Sequence, residues 1–332
     1  MYTKVTQKEL AEVLDYYRQD RKNCLYSYID LKKYGLGNSH LSVYIDRGLV
    51  TDQGYADTLQ AETMHDILKE ADTSQAGTAD SALTAGALRC VLLQYYTGIN
   101  VFSYKNNLDV PATVAFLQEK QPSMINGPLE TLEKLYPYFR ETYDFEAGYV
   151  TELLEKPGRG PAIIPAESTV RENGTPDARA MQNADGSDAE TQAEFPVEKA
   201  GEAELPEIAA LICTDEGVGG TYTPEGLAAQ LLERQRDGFG RNYFIRQNGR
   251  IVCHAGTYAE VDDLAVVSGV ITAEDSRGQN LADRVVSKLN KELLAEGKHP
   301  CLFYYTKSAA RLYAKTGYAA GTGWAKLIRK QG

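Results

Sequence analysis

The sequence predicts an α/β protein in two parts, and three observations support this fold class. The 332 residues are more than one average domain needs and enough for two cores. Apolar strand-like runs alternate with helix-like periods in both halves. Residues 156–194 hold four prolines and four glycines but no aromatic residue or leucine, so they offer little surface for a core. We therefore predict domains at 1–155 and 196–332, joined by a flexible linker at 156–195.

The C-terminal half is predicted to be mixed α/β. Asn248-Gly249 between two apolar runs is a typical hairpin turn, and Pro224 suits the first turn of a helix. Apolar residues spaced by four predict a long helix that Gly297 ends. The predicted elements are helices 204–213 and 223–232, a hairpin at 243–253, strand 264–271, helix 279–296, strand 301–305, helix 308–316 and strand 324–329.

The N-terminal half repeats part of this order. Thr97-Gly98 lies at the turn of an apolar hairpin, and Pro111 suits a helix start. The order helix, strand, helix, strand mirrors the second part of the C-terminal half. The predicted elements are helix 7–17, a hairpin at 90–104, helix 111–118, strand 123–128, helix 129–139 and strand 145–154.

The segment 267–283 carries the strongest chemical signal. A buried strand ends, a short polar turn follows, and a long helix opens at Arg277-Gly278. A helix N-terminus exposes unpaired N–H groups with partial positive charge, and a phosphate group is their natural ligand. Gly278 allows close backbone approach, and Arg277 adds a positive charge beside the anion.

These residues resemble the pyrophosphate loop of the GNAT superfamily of N-acetyltransferases. That loop reads Arg/Gln-x-x-Gly-x-Gly/Ala between a strand and a helix. The downstream segment 308–318 is similar to the family's Asn/Ser-x-x-Ala-x-x-Leu-Tyr-x-Lys-x-Gly-Phe/Tyr helix. The resemblance covers nearly all of 196–332 and implies a GNAT fold, a mixed sheet with a splayed parallel strand pair flanked by helices. Asn280 departs from the pattern, because it stands where the family usually has its second glycine.

The resemblance also implies roles for individual residues. Acetyl-CoA is the expected donor, and Tyr313 is expected to protonate the leaving thiolate as general acid. Glu260 is the candidate general base, with Asp262 and Asp263 as open alternatives. Ser308 is an expected CoA contact. The remaining expected CoA contacts are Val270, Ile271 and Thr272 along the splayed strand and Arg277, Gly278, Gln279, Asn280, Leu281 and Ala282 around the pyrophosphate.

Simpler interpretations stay open for each of these residues. Arg277 could be a solvated arginine in an ordinary strand-to-helix turn, and Tyr313 could be a core residue of its helix. Ser308 could be only a helix N-cap. The three carboxylates could form a solvated hairpin end.

Two hypotheses of function follow. The first is an enzyme that transfers an acetyl group from acetyl-CoA directly to a primary amine of a small molecule or peptide. The second is a CoA-binding regulatory module with little or no turnover, which the presence of Asn280 would favour.

The turn at Ile125-Asn-Gly-Pro resembles that of other two-domain GNAT proteins. The resemblance implies a degenerate GNAT-like domain at 1–155. This domain would shape the acceptor site together with loops such as 217–224. A merely structural α/β domain is the alternative.

Composition limits the partners. The net charge of −11 disfavours nucleic acid and anionic membranes as partners, and no apolar run is long enough to span a bilayer. Five scattered cysteines without a Cys-x-x-Cys pair suggest neither a disulfide framework nor a metal site, so we expect a cytoplasmic protein. A homodimer stays an open alternative.

Overall fold

The computed structural model describes residues 1–48, 86–154, 195–215 and 222–330. Within these ranges the chain forms twelve strands and eight α-helices. The strands are β1 (Thr3–Lys4), β2 (Leu41–Arg47), β3 (Leu88–Tyr95), β4 (Gly98–Phe102), β5 (Met124–Pro128), β6 (Tyr143–Glu152), β7 (Glu198–Lys199), β8 (Asn242–Gln247), β9 (Arg250–Val261), β10 (Leu264–Thr272), β11 (His299–Tyr304) and β12 (Thr322–Arg329). The helices are α1 (Leu10–Arg18), α2 (Leu25–Tyr34), α3 (Val110–Lys120), α4 (Leu129–Leu135), α5 (Leu205–Ile212), α6 (Pro224–Arg236), α7 (Leu281–Ala295) and α8 (Lys307–Lys315).

All the described strands join one mixed sheet. Its order is β1-β2-β3-β4-β5-β12-β6-β11-β10-β9-β8-β7. The pairs β4–β5 and β10–β11 are parallel, and the other neighbours are antiparallel. This arrangement, with helices on both faces, confirms the predicted α/β class and the GNAT type of sheet.

The two halves of the chain exchange strands at the centre of this sheet. Strand β6, from the N-terminal half, lies between β11 and β12, where Val150 pairs with Phe303. Strand β12, from the end of the chain, pairs on its other side with β5, where Ala325 lies opposite Gly127. The described parts of both halves therefore share one continuous sheet. The boundaries at 1–155 and 196–332 stay a prediction, and the linker at 156–195 lies, except for its last residue, outside the described residues.

The helices cover the two faces of the sheet separately. Leu264 and Val266 of β10 pack with the core under α1 and α2, and this side is called the α1 face. Ala265 and Val267 pack with the core under α7, and this side is called the α7 face. The alternation follows from the two-residue repeat of a strand. Helices α5 and α6 also lie on the α1 face. The core under them contains Phe244 of β8, whereas Tyr243 and Ile245, its neighbours along the strand, pack under α7 on the opposite face.

Most predicted elements are present with ends shifted by a few residues. The hairpin turn is confirmed, because Asn248 and Gly249 have φ values of 49° and 77°, as a two-residue type I′ turn requires. Helix α2 and strands β1, β2 and β7 were not predicted. Helix α2 is buried on several sides, including Tyr28, Ile29 and Leu31, so its apolar residues do not follow a one-sided helical repeat.

No helix in the described ranges is both long and apolar enough to cross a membrane.

Candidate active site

Strands β10 and β11 run side by side only over their first residues. Their parallel pairing ends where Val267 lies opposite Leu302, although both strands continue beyond this point. Strands that separate in this way leave backbone N–H and C=O groups without strand partners. We call this opening the β10–β11 gap. It offers main-chain hydrogen-bonding groups to a ligand that enters between the strands.

A bulge in β10 lies at the mouth of the β10–β11 gap. Gly269 has a φ of 63°, and a Cβ atom placed there would lie 3.2 Å from Cε1 of His254. The Nδ1 atom of His254 donates to the carbonyl oxygen of Gly269 at 2.7 Å, and its Nε2 lies 3.0 Å from Oδ1 of Asn242. Burial lowers the pKa of His254 to about 4, so the ring is neutral at pH 7. The buried histidine therefore fixes a bulge that a glycine accommodates best.

The last residues of β10 lead along the gap toward the start of α7. Val270 packs with the core on the α7 face, whereas Ile271 points to the core under α5 and α6. Thr272 lines an open cleft, and its carbonyl oxygen accepts a hydrogen bond of 3.2 Å from Nε of Arg277. The side chains of the predicted CoA residues of β10 thus alternate between the two faces of the sheet. Only the backbone groups of these residues all border the gap.

The start of α7 is not capped by the protein. Gly278 and Asn280 have φ values of 80° and 55°, and no side chain caps the first turn. In the described part of the chain, the backbone N–H groups of residues 278–283 donate to no acceptor. A Cβ atom at Gly278 would meet nothing within 4 Å. Unpaired amides at the start of a fifteen-residue helix form a ready anion site.

The cleft beside these amides has a volume of about 290 Å³ and carries positive charge. Arg277 and Arg311 line it, together with Lys315, whose Nζ lies 3.2 Å from Oδ1 of Asn280 and 2.8 Å from Oδ2 of Asp283. Asp283 is the only acidic residue among the described residues that line this cleft. Three cations against one carboxylate leave a net attraction for an anionic group.

The other residues of the predicted loop divide between the cleft and the core. Leu281 and Ala282 line the cleft, and Leu281 is also 3% exposed in the core under α7. Gln279 turns away, because its Oε1 accepts a hydrogen bond from Nε2 of Gln247 at 3.1 Å. In this arrangement, therefore, only the backbone N–H of Gln279 is available to an anion in the cleft. The predicted loop is thus brought together as one unit, apart from the Gln279 side chain.

Tyr313 lies in the core on the α7 face, near the gap. Its ring centroid is 6.0 Å from that of Tyr304, which belongs to β11 beyond the point where pairing with β10 ends, and 5.6 Å from that of Tyr318. The side chain is 8% exposed. Within the described ranges its hydroxyl has no hydrogen-bond partner, and burial raises the pKa of Tyr313 above its ordinary value. A protonated hydroxyl without a partner suits a proton donor, although the ring is also part of the core.

Ser308 is exposed in the first turn of α8, and it is not the N-cap. The N-cap is Thr306, whose Oγ1 accepts from the backbone N–H of Ala309 at 3.2 Å. The Ser308 hydroxyl lies 3.0 Å from the same Oγ1 atom. The N-cap alternative for Ser308 is therefore wrong, and its contact with CoA stays a prediction.

The prediction of Glu260 as general base is corrected by its contacts. Its two carboxylate oxygens accept from Nε and Nη2 of Arg241, both at 2.7 Å, and Nζ of Lys298 lies 3.3 Å away. The side chain is 3% exposed. Glu260 pairs with Ala265, roughly 13 Å along β10 from Gly269, whereas a base must lie within hydrogen-bonding reach of the proton it removes. Glu260 is therefore the buried acidic member of a structural ion pair with Arg241.

The alternative bases bind the N-terminal half instead. Asp262 accepts from the hydroxyl of Tyr28 at 2.9 Å and pairs with Lys32 at 3.2 Å. Asp263 accepts two hydrogen bonds from Arg21, at 2.6 Å and 3.0 Å, and this guanidinium holds the pKa of Asp263 below its ordinary value. Both carboxylates stand at the far end of β10 from the gap, so their contacts indicate a docking role rather than catalysis.

The comparison with known families matches this geometry. A model of the GNAT acetyltransferase family matches residues 233–326, which run from α6 to β12 and include the gap and the cleft. This part of the chain belongs to the GNAT superfamily. No curated protein matches the chain.

One solved structure shares the fold over nearly the full length of this chain, and others show weaker likeness. A Drosophila protein is similar at 13% identity with a TM-score of 0.50, over 98% of both chains, and shares the fold. An acetyltransferase of the GNAT family from Colwellia psychrerythraea aligns over the whole of both chains at 9% identity and a TM-score of 0.48. A GCN5-related N-acetyltransferase-like protein from Streptococcus suis has 15% identity and a TM-score of 0.45, over 76% of this chain and 87% of that one.

Two basic residues of the GNAT cleft were missed from the sequence. Arg311 and Lys315 stand four residues apart on α8, so they share one face of that helix. That spacing was the available signal. Only the fold reveals that this face turns toward the start of α7.

Proposed function

We propose that this GNAT chain transfers an acetyl group from acetyl-CoA directly to a primary amine of a small molecule or peptide. The observation that carries the proposal is the row of free amides at residues 278–283, beside three basic side chains and next to the β10–β11 gap. A diphosphate bound there would leave the pantetheine arm to run along the open edge of β10. Acetyl-CoA has both parts, a doubly charged diphosphate and an extended amide-containing arm.

The proposed chemistry needs four events. A backbone N–H along the gap polarises the thioester carbonyl. The neutral amine attacks the carbonyl carbon, so that a C–N bond forms and the C–S bond breaks. The departing thiolate takes the hydroxyl proton of Tyr313, whose raised pKa keeps it protonated until that moment. The proton of the new ammonium passes to a base or to water.

A CoA-binding regulator without turnover is the second candidate. It is favoured by one observation, that Glu260, Asp262 and Asp263 are all held in ion pairs away from the gap. It also binds CoA, so binding alone does not separate the two candidates.

Release of free thiol from acetyl-CoA in the presence of an amine library separates them. We expect thiol release to depend on both the protein and the amine, with acetylated amine as the second product by mass spectrometry. The fall in acetyl-CoA should equal the gain in acetylated amine. Tight CoA binding in a calorimeter with no amine-dependent thiol release would instead support the regulator.

A further inference from the structure

Asp30 is a buried acid with no structural partner in the described ranges. It lies on α2 and is 5% exposed, and no described residue donates a hydrogen bond to it or forms an ion pair with it. Burial raises the pKa of Asp30 to about 7. A buried carboxylate without partners costs stability, and such groups are commonly kept where they serve a site.

The face of α2 that carries Asp30 turns toward the C-terminal half. Tyr26 packs edge-on against Tyr258 of β9 with ring centroids 6.0 Å apart. Lys33 places its Nζ 4.5 Å from the ring centroid of Phe239, which follows α6. Because Asp30 is four residues after Tyr26 and three before Lys33, it shares their helix face. Its carboxylate therefore lies on the side of α2 that faces β9 and the end of α6.

Arg234 approaches the same place from α6. Its Cζ atom lies 4.3 Å from the ring centroid of Tyr258, and its Nη2 donates to Oε1 of Gln230 at 3.0 Å. Among the described residues, Arg234 is the only charged group that lines a small cavity of about 60 Å³ between α6, β9 and β10. Ser268 and Gly269, at the mouth of the β10–β11 gap, line the same cavity.

The two opposite charges are neighbours but not partners. Lys33 and then Arg234 act electrostatically on Asp30, yet within the described ranges neither side chain forms an ion pair with it. The ring of Tyr258 contacts both the guanidinium of Arg234 and Tyr26, which lies on the same helix face as Asp30. A buried anion, and a partly buried cation that lines the cavity, are together complementary to a molecule that carries both charges.

We propose that Asp30 and Arg234 bind the two ends of the acceptor, and that the acceptor is a small α-amino acid. Its ammonium group would bind Asp30, and its carboxylate would bind the guanidinium of Arg234. This rests on the proposed acetyl transfer. Asp30 then takes one proton from the ammonium, and the amine nitrogen so freed attacks the thioester carbon at the gap. The N-terminal half thereby supplies the group that receives the amine proton.

Matched acceptors test this proposal through thiol release from acetyl-CoA. Glycine, alanine and phenylalanine are compared with methylamine, ethylamine and phenethylamine, which lack only the carboxylate. We expect kcat/KM to be roughly 100-fold higher for at least one amino acid than for its amine, because a charge-assisted pair with Arg234 is lost. Arg234→Gln should raise KM for that amino acid roughly 10- to 100-fold, leave KM for acetyl-CoA unchanged, and abolish the preference. Arg236→Gln is the matched control, since Arg236 pairs with Glu202 at the surface.

Asp30→Asn is the second variant. We expect kcat/KM to fall roughly 100-fold for amino acids and amines alike, with a melting temperature at or above that of the unchanged protein, because an unpaired buried charge is removed. The proposal would be overturned if every amino acid and its decarboxylated amine gave the same kcat/KM, or if the Asp30→Asn variant kept full activity. Either result would leave acetyl transfer intact. No thiol release with any acceptor would overturn the proposed function and this inference together.

Discussion

Arg277→Glu is expected to weaken acetyl-CoA binding by roughly 100-fold, equivalent to about 3 kcal/mol. The substitution removes a cation from the cleft at the start of α7 and places a carboxylate where the diphosphate is proposed to bind. Arg277 is exposed, and within the described ranges its side chain makes one hydrogen bond, of 3.2 Å, to the carbonyl oxygen of Thr272. The fold should therefore persist. Isothermal titration calorimetry with acetyl-CoA measures the effect.

Arg140→Glu is a matched control for this experiment. Its side chain is 68% exposed and it lies in the N-terminal half, so the same change of charge occurs away from the cleft. We expect its dissociation constant for acetyl-CoA to stay within about twofold of the unchanged protein, since exposed charges interact weakly over long distances. Equal affinities for the Arg277→Glu variant and this control would show that no diphosphate binds at the start of α7.

Tyr313→Phe is expected to lower kcat by roughly 100-fold or more, as for the loss of a general acid. The dissociation constant for acetyl-CoA should not change, because Tyr313 does not line the cleft that would hold the diphosphate. The fold should tolerate the change, because the hydroxyl has no hydrogen-bond partner in the described ranges. Initial rates of thiol release across pH 6 to 10 measure the effect on kcat.

Tyr318→Phe provides the control for Tyr313→Phe. Tyr318 packs against Tyr313, and its hydroxyl donates a hydrogen bond of 2.9 Å to Oδ1 of Asn290. This substitution should cost about 1 kcal/mol of stability and leave kcat nearly unchanged. If Tyr313→Phe keeps full kcat and the same pH profile, Tyr313 is a core residue and another group protonates the thiolate.

The candidate anion-binding loop could be proposed from the sequence because its residues are continuous in the chain. One segment supplies a strand, a turn with Arg277 and Gly278, and the opening of α7, and each part has a local signal. A glycine at positive φ, a charged residue beside it and a four-residue apolar repeat are readable without knowing the fold. Asn280 follows the same logic, since its φ of 55° is a conformation that asparagine tolerates.

The bases could not be assigned because their partners are distant in sequence. Acidic residues near a hairpin turn look alike whether they are free or paired. Arg21 and Lys32, which bind Asp263 and Asp262, belong to the other half of the chain. Helix α2, and the turn between α1 and α2 that carries Arg21, had to be placed on the sheet before these contacts could be seen.

The strand exchange escaped prediction for a related reason. Alternating apolar residues predict that 145–154 and 324–329 are strands, but the alternation does not choose a neighbour. Both β6 and β12 are antiparallel to their partners, so either could close its own half of the sheet. Asp30 was missed in the same way, because its helix is buried on several sides and shows no one-sided repeat.

The backbone amides of residues 278–283 can be observed directly by NMR in the ¹⁵N-labelled full chain during titration with CoA. We predict that these amide resonances undergo the largest shifts in the protein, and that inorganic pyrophosphate shifts the same set. If CoA binds while these resonances stay in place and others move, the start of α7 does not hold the diphosphate, and acetyl-CoA is not bound as proposed.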